Sequence, residues 1–96
     1  MKLALHPDAE AEMANAARFY EQRTDGLGGD FLDEVEQAFE RIELAPEAWP
    51  RLEGPVRRCL VERFPYGVYY RLDSAAIFVL AVMHSKKKPG AWKARL

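Results

Sequence analysis

The stretch VRRCLVERFPYGVYYRLDSAAIFVLAVMH, residues 56–84, decides the fold of this chain. It contains three runs rich in β-branched, aromatic and other apolar residues: VRRCLVER, GVYYRLD and AAIFVLAVMH. The segments FPY and DS between these runs are so short that consecutive strands must run antiparallel. The stretch therefore predicts a meander of three antiparallel strands.

The middle and last runs differ in how their apolar residues alternate. In the middle run Val68, Tyr70 and Leu72 fall on one face, and Tyr69 and Arg71 fall on the other. The last run is apolar on both faces, which is typical of a strand in the interior of a sheet. We therefore expect the last run to have a neighbouring strand on each side.

Toward the N-terminus the periodicity changes from that of strands to that of helices. KLAL, residues 2–5, predicts a short opening strand. Proline suits the first helical position, so Pro7 and Asp8 predict the start of a helix, and the glycines after Arg23 predict its end. A second helix is predicted from about Asp30 to Ala45. The apolar stripes of this helical hairpin contain Ala9, Met13, Ala16 or Ala17, Tyr20, Phe31, Val35, Phe39 and Ile42.

The segment PEAWPRLEGP, residues 46–55, links the hairpin to the meander. Its three prolines are incompatible with a long helix or a central strand, so it predicts a crossing loop in which Trp49 anchors to the core. The opening strand can pair at the free edge of the last run. We therefore predict a single α+β domain over residues 1–96. It consists of a four-stranded antiparallel sheet in the order β-α-α-β-β-β, with the helical hairpin on one face.

The composition excludes several classes of protein. With 49% hydrophobic and 30% charged residues, the chain has the composition of a globular protein. The lone cysteine, Cys59, cannot form an internal disulfide, and no His/Cys spacing typical of a metal site occurs. No stretch reaches the roughly 20 apolar residues of a membrane span, and the N-terminus lacks a signal-peptide core. We expect a cytoplasmic protein without a metal or an organic cofactor.

The net charge of −1 conceals a division between the two halves of the chain. Residues 1–50 contain 4 Lys and Arg against 12 Asp and Glu, a balance of −8. Residues 51–96 contain 10 against 3, a balance of +7. Such asymmetry indicates contact between the basic part and a nucleic acid or another polyanion. The alternative is a chance segregation of acidic helices and basic strands.

Three consecutive lysines follow the most apolar run. If that run is the central strand, Lys86, Lys87 and Lys88 leave the sheet at its end, on a loop held by a rigid element. Such loops often carry binding groups, and lysine and arginine side chains bind phosphate. The alternative is a solvated terminus without a binding role.

His84 closes the last run and is the histidine that falls within a regular element. Strict alternation places its side chain on the same face as Phe78, Leu80 and Val82. A histidine at this position can act as a general acid or base, and the neighbouring lysines would lower its pKa by like-charge repulsion. The alternative is a hydrogen-bonded structural histidine.

The order of elements and several motifs resemble the RelE/ParE superfamily of bacterial toxins from type II toxin–antitoxin modules, over nearly the whole chain. One motif is the pair Arg57 and Arg58, and a second is RFPYGVYY, residues 63–70. A third has the form H-x-x-[KR]-x-P. It consists of His84, Lys87 and Pro89, and it is followed by Trp92 and Arg95. The resemblance implies the α+β fold predicted above and an antitoxin protein as partner.

The superfamily implies two different activities. RelE-like toxins cleave mRNA on the ribosome with basic side chains and a C-terminal tyrosine, whereas ParE-like toxins poison DNA gyrase. When the chain is aligned without gaps through Tyr66, the nuclease positions fall on Arg58, Leu60, Gly67, Lys87 and Lys93. Only Arg58 and Lys87 keep a matching charge, because glycine replaces the central arginine and lysine replaces the tyrosine. This departure favours the ParE-like activity.

We therefore expect a toxin that inhibits growth by binding DNA gyrase and requires no catalytic residues. The first alternative is a ribosome-dependent mRNA endonuclease, and the second is a non-toxic basic binding module or decayed toxin. If the protein is a nuclease, the candidate catalytic residues are Arg58, Arg63, His84 and Lys87. The candidate target-binding residues are Arg57, Arg58, Lys86, Lys87, Lys88, Trp92 and Arg95. The candidate antitoxin-binding residues are Met13, Tyr20, Phe31, Val35 and Phe39, and a hetero-oligomer with the antitoxin is expected.

Overall fold

In the computed structural model, which describes all 96 residues, two helices pack against one face of a five-stranded sheet. The strands are β1 (Lys2–Leu5), β2 (Arg51–Glu53), β3 (Val56–Leu60), β4 (Tyr66–Asp73) and β5 (Ala76–His84). The helices are α1 (Pro7–Arg23) and α2 (Leu27–Leu44), and a short 3-10 helix spans Lys93–Arg95. The strand order across the sheet is β1-β5-β4-β3-β2. Neither α1 nor α2 has the length and apolar composition of a membrane-spanning helix.

The predicted meander is confirmed. Strands β3, β4 and β5 pair antiparallel in sequence order, and β5 has neighbours on both sides. The two faces of β4 are also as predicted, since Val68, Tyr70 and Leu72 pack in the core beneath the helices. Tyr69 and Arg71 lie on the opposite face, where the guanidinium of Arg71 covers a phenylalanine ring of β5.

The sheet differs from the prediction in the number and the direction of its strands. Strand β1 does lie at the free edge of β5, but it runs parallel to β5 rather than antiparallel. These two strands are far apart in the chain, because both helices and three strands lie between them. No tight turn joins them, so the loop lengths do not fix the direction of β1. The fifth strand, β2, forms within the predicted crossing loop and pairs with β3 around Gly54, whose φ is +54°. Three residues at an edge fit between Pro50 and Pro55, where proline is tolerated.

A register shift in β5 changes which side chains face the helices. Tyr69 pairs with Ala81 and Tyr70 with Val79, so Leu80 has no partner on β4. The irregularity inverts the alternation beyond it. Ile77, Val79 and Val82 therefore belong to the core beneath the helices, whereas Phe78, Leu80, Ala81 and Met83 pack on the opposite face. The prediction that His84 shares a face with Phe78 and Leu80 is wrong for this reason.

The helix hairpin is closed by local features of the sequence. The Nδ1 atom of His6 accepts a hydrogen bond from the Asp8 amide at 3.0 Å and caps α1. Helix α2 begins at Leu27 rather than near Asp30, directly after Gly26, whose φ is +86°. A Cβ added to Gly28 would lie 2.5 Å from the Ala17 carbonyl oxygen, so the helices approach this closely only with glycine here.

The second face of the sheet is covered by the C-terminal segment rather than by a helical layer. Trp92 is only 4% exposed and packs with Val56, Leu80, Ala81 and Met83 in a separate small core. Its ring stacks on Tyr69 with a centroid separation of 6.3 Å and an interplanar angle of 27°. The chain after β5 therefore returns across the sheet, and this return shapes the candidate site.

Candidate functional site

Half of the ten basic side chains of residues 51–96 are held by partners within the fold. Arg57 donates hydrogen bonds to the carbonyl oxygens of Glu47 and Trp49, at 3.2 and 2.6 Å. Arg63, Arg71, Lys93 and Arg95 form ion pairs with carboxylates. The side chains of Arg51, Arg58, Lys86, Lys87 and Lys88 form no salt bridge and no hydrogen bond with the protein. Five of the ten cations are therefore free. Arg51 lies on β2, and the other four lie on the loop after β5 or face it from β3.

Three of these free cations line one concavity on the second face of the sheet, which we call the basic pocket. Arg58 enters from β3, while Lys87 and Lys88 enter from the loop after β5. The other lining residues are Leu52, Glu53, Tyr69, Met83, Ser85, Pro89, Gly90 and Trp92. The cavity measures about 210 Å³. An arginine, two lysines and a serine hydroxyl can bind an acidic group or a phosphate, and the tyrosine and tryptophan rings form an apolar wall.

Gly67 makes room for the arginine of the basic pocket. A Cβ added to Gly67 would lie 3.1 Å from Cδ and 3.2 Å from Cγ of Arg58, which lies diagonally across from Gly67 on the neighbouring strand and pairs with Tyr69. A larger side chain at Gly67 would push Arg58 out of its present position. Gly67, which stands where the nuclease relatives have arginine, therefore leaves the space that the Arg58 side chain occupies.

The four candidate nuclease residues do not converge. Arg58 and Lys87 line the basic pocket, but Arg63 pairs with Asp30 at 3.7 Å and Glu34 at 3.5 Å on helix α2. His84 lies on the helix side against Tyr66, with a ring separation of 5.3 Å, and its Nδ1 accepts a hydrogen bond from the Lys86 amide. No three His, Cys, Asp or Glu side chains come together to hold a metal ion.

The candidate target-binding residues separate into two groups. Arg58, Lys87, Lys88 and Trp92 line the basic pocket, and Lys86 is exposed beside it. Arg57 and Arg95 are engaged elsewhere, because Arg57 holds the loop before β2 and the side chain of Arg95 is bonded to Glu12. Both guanidinium groups therefore make contacts within the fold in this structure.

The candidate antitoxin-binding stripe is also divided by the fold. Phe31 and Val35 are 0% exposed in the core beneath the helices, so a partner cannot reach them and their assignment is corrected. A helical apolar stripe marks the face turned to the sheet more often than a face left for a partner. Met13, Tyr20 and Phe39 are only partly buried at the margins of that core.

Sequence reasoning missed an apolar groove beside α1, which we call the α1 groove. Phe19 is 48% exposed at one wall, and Tyr66 and His84 form part of the other. The remaining lining residues are Glu12, Asn15, Ala16, Val82, Met83 and Lys87. The available signal was Phe19 itself, an aromatic residue outside the apolar stripe of its helix. Lys87 lines both this groove and the basic pocket.

The shifted pKa values identify packed groups rather than a reactive one. Burial raises the pKa of Tyr70 to about 12, and its hydroxyl donates a hydrogen bond to the Pro46 carbonyl oxygen at 2.7 Å. Burial also raises the pKa of Tyr20, Tyr66 and the Cys59 thiol. All these shifts move the group further from neutral pH, which is opposite to the tuning of a general acid or base.

Known proteins resemble this chain along most of its length. Residues 3–89 match the family described as ParE toxin of type II toxin-antitoxin system, parDE. Toxin ParE2 of Mycobacterium tuberculosis, from strains CDC 1551 / Oshkosh and ATCC 25618 / H37Rv, is 31% identical over 99 residues. The match covers 99% of this chain and 91% of the relative. The solved structure "Chromosomal ParDE TA system from P. aeruginosa" matches with a TM-score of 0.66 and 21% identity. That match covers 88% of this chain and 95% of the other, and it shows a common fold.

Proposed function

Because the chain belongs to the ParE toxin family of type II toxin–antitoxin systems, we propose that it inhibits growth by binding DNA gyrase through the basic pocket. The chain is the toxin component of such a module, and its partner is a cognate antitoxin. Both the gyrase target and the role of the basic pocket are parts of the proposal. It places the protein in the cytoplasm, where gyrase acts.

The observation that carries the proposal is the convergence of unpaired cations on a rigid surface. Arg58, Lys87 and Lys88 meet at one pocket while most of the other basic side chains of this half are held by internal partners. Burying cations against a target is favourable only if the target supplies anions. An acidic protein surface of gyrase, or the DNA that gyrase holds, supplies this complement.

The arrangement of the other candidate residues supports a binding role over RNA cleavage. A nuclease must bring a base, an acid and phosphate-binding cations to one reacting group. Here Arg63 is bound to two acids of α2, and His84 lies on the opposite side of the sheet from Arg58. We therefore assign Arg58 and Lys87 to target contact rather than to catalysis.

For the antitoxin, we propose the α1 groove as an anchoring site. Phe19 provides exposed apolar surface, and Lys87 provides a free positive charge at the end of the groove. An antitoxin segment that folds on binding would place an apolar side chain beside Phe19 and an acidic one near Lys87. Apolar contact would provide most of the affinity, and charge would speed the encounter. Partly buried Met13, Tyr20 and Phe39 remain candidate contacts.

The decisive experiment measures DNA supercoiling by gyrase with the purified toxin. We expect the wild type to inhibit supercoiling and the double variant Arg58→Ala/Lys87→Ala to require a concentration at least about tenfold higher, since contacts to charged groups contribute about 1.5–3 kcal/mol each. The double variant Lys2→Ala/Arg51→Ala is the matched control. It removes two exposed cations that lie outside the pocket and form no salt bridge.

The same preparations are then added to ribosomes programmed with mRNA. We expect no cleavage. Cutting at discrete positions by the wild type would replace gyrase with mRNA as the target. Full inhibition of gyrase by the Arg58→Ala/Lys87→Ala variant would refute the basic pocket as the contact surface.

A further inference from the structure

Strand β5 has an unpaired edge in the middle of the sheet. It contains nine residues, but the four-residue β1 pairs only with Ala76 to Val79. The chain then turns into α1 after the His6 amide donates a hydrogen bond to the Val79 carbonyl oxygen at 2.9 Å. Beyond Val79 no strand lies on this side of β5. Backbone groups in such a position need other partners or invite association with another chain.

Two side chains from distant parts of the sequence occupy the place of the missing strand. Glu12 accepts a hydrogen bond from the Val82 amide at 3.0 Å, and Arg95 donates one to the Leu80 carbonyl oxygen at 3.1 Å. Glu12 and Arg95 also bond each other through two N–H···O contacts of 2.8 and 2.9 Å. The hydrogen bonds that Arg95 donates to Glu12 raise the pKa of Arg95, and a carboxylate oxygen of Asp8 lies 3.4 Å from its Nε. We call this arrangement the Glu12–Arg95 clasp.

The clasp closes a loop that carries the free lysines. The chain leaves β5 at His84, and the hydrogen bond from Arg95 to the Leu80 carbonyl oxygen attaches it to the same strand again. Residues 85–94 are therefore tied to β5 at both ends, and this loop contributes Lys87, Lys88 and Trp92 to the basic pocket. A peripheral ion pair, Lys93 to Glu53 at 3.0 Å, also ties the loop to β2.

We propose that Glu12 and Arg95 are positioning residues that pre-organise the basic pocket for its target. Closing the ends of a loop removes conformations that would otherwise have to be given up on binding. The clasp acts through Lys87, Lys88 and Trp92, and neither Glu12 nor Arg95 contacts the target. The inference rests on the proposed role of the basic pocket in target binding.

The test opens the clasp by the substitution Arg95→Ala in the full chain. Three measurements follow: hydrogen exchange of the Val82 amide by NMR, Trp92 fluorescence in a Trp49→Phe background, and gyrase inhibition. We expect exchange at Val82 to accelerate about tenfold or more, because a charge-assisted network is lost. Trp92 emission should shift to longer wavelength, and the inhibitory concentration should rise about tenfold. Arg95→Lys, which keeps one donor, should show smaller changes in all three.

Two further variants separate the clasp from a general effect of charge. Lys93→Ala removes the exposed ion pair of the same segment without touching β5, so we expect all three measurements to stay within about twofold of wild type. The reversed pair Glu12→Arg/Arg95→Glu restores an ion pair but offers a donor to the Val82 amide and an acceptor to the Leu80 carbonyl. It should therefore fail to restore Val82 protection.

Each outcome decides between specific alternatives. Unchanged Val82 exchange and Trp92 emission in Arg95→Ala would show that the clasp does not hold the loop. If Arg95→Ala loosens the loop but inhibits gyrase as well as the wild type does, the clasp only protects the edge of β5, and the positioning role is overturned. The Arg58→Ala/Lys87→Ala variant tests the proposed function separately. Val82 exchange in Arg95→Ala reports on the clasp whether or not gyrase is the target.

Discussion

At the scale of single residues, Arg57 and Arg58 show how neighbours in sequence acquire unrelated tasks. Alternation along β3 sends them to opposite faces of the sheet, opposite Tyr70 and Tyr69 respectively. Arg57 meets the carbonyl oxygens of the loop before β2, whereas Arg58 remains unpaired in the basic pocket. From the sequence alone, both side chains are assigned to the same target. Only the packing of the loop shows which of them stays free.

Tyr70 gives the fold a dependence on alkaline pH. Burial raises its pKa to about 12, above the value of about 10 expected for tyrosine in the unfolded chain. The stabilisation from this group is complete below about pH 10 and is lost as the pH rises toward about 12, because the unfolded state ionises first. We expect Tyr70→Phe to unfold more easily at pH 7 by about 1 kcal/mol, since its hydrogen bond is lost. The variant should also lose less stability than wild type between pH 9 and 12.

Denaturant unfolding at several pH values measures both effects. Tyr69→Phe is the matched control, because the Tyr69 hydroxyl forms no hydrogen bond and the substitution keeps the ring beside Trp92. Equal alkaline loss in wild type and Tyr70→Phe would contradict the prediction. Tyr20, Tyr66 and Cys59, whose pKa values are also raised by burial, contribute to the loss that remains in the variant.

At the scale of elements, the loop after β5 depends on the strand that precedes it. The shift at Leu80 brings His84 to the helix side, so the chain enters the loop beside the α1 groove and then crosses to the basic pocket. Lys87 lines both concavities for this reason. A hydrophobic run indicates a buried strand, but a period-two pattern carries no sign of a single unpaired residue.

The three lysines of this loop can be tested as a unit. Replacing Lys86, Lys87 and Lys88 by alanine should abolish growth arrest at equal soluble expression. The unfolding free energy should change by less than about 0.5 kcal/mol, because these side chains are exposed and form no ion pair. Lys2→Ala/Arg18→Ala/Arg23→Ala removes the same charge elsewhere and should stay toxic. Undiminished growth arrest by a lysine variant with normal thermal melting would return the loop to a solvated segment without a binding role.

At the scale of the whole molecule, the two halves of opposite charge become two layers. The acidic residues 1–50 form β1, both helices and most of the link to the sheet, while the basic residues 51–96 form the other four strands and the C-terminal segment. Much of this opposition is resolved internally, as in the pairs Arg63–Glu34 and Arg95–Glu12. The residual positive charge is therefore more local than the balance of +7 suggests.

Antitoxin binding should be separable from growth arrest at Phe19, because Phe19 lines the α1 groove and not the basic pocket. We expect Phe19→Asp to weaken the complex with the cognate antitoxin at least about tenfold, since it places a charge in an apolar contact, and to leave growth arrest intact. Leu44→Asp is the control, because Leu44 is 86% exposed on α2 outside the groove. Co-purification and growth rescue by the antitoxin measure the effect. Equal rescue of wild type and Phe19→Asp would exclude the groove as an anchoring site.

The sequence by itself determined both helices, four of the five strands and the toxin superfamily. Periodicity and short connections were sufficient for the hairpin, the meander and the central position of β5, because these features depend on neighbours close in the chain. The motifs around Arg57, Tyr66 and His84 were sufficient for the toxin superfamily. Three features required the tertiary structure. The parallel direction of β1 is not fixed by any short loop, and β2 forms only because β3 offers it an edge.

The third feature that required the tertiary structure is which charged side chains remain free to bind a target. Arg58 is free and Arg95 is not, although both are arginines in the basic half, because Glu12 stands beside one of them and no acid pairs with the other. Residues 12 and 95 lie almost the whole chain apart, and no local pattern links them. Glu12 and Arg95 meet only when helix α1 and the C-terminal segment pack at the open edge of β5. The sequence alone does not predict a contact at this edge.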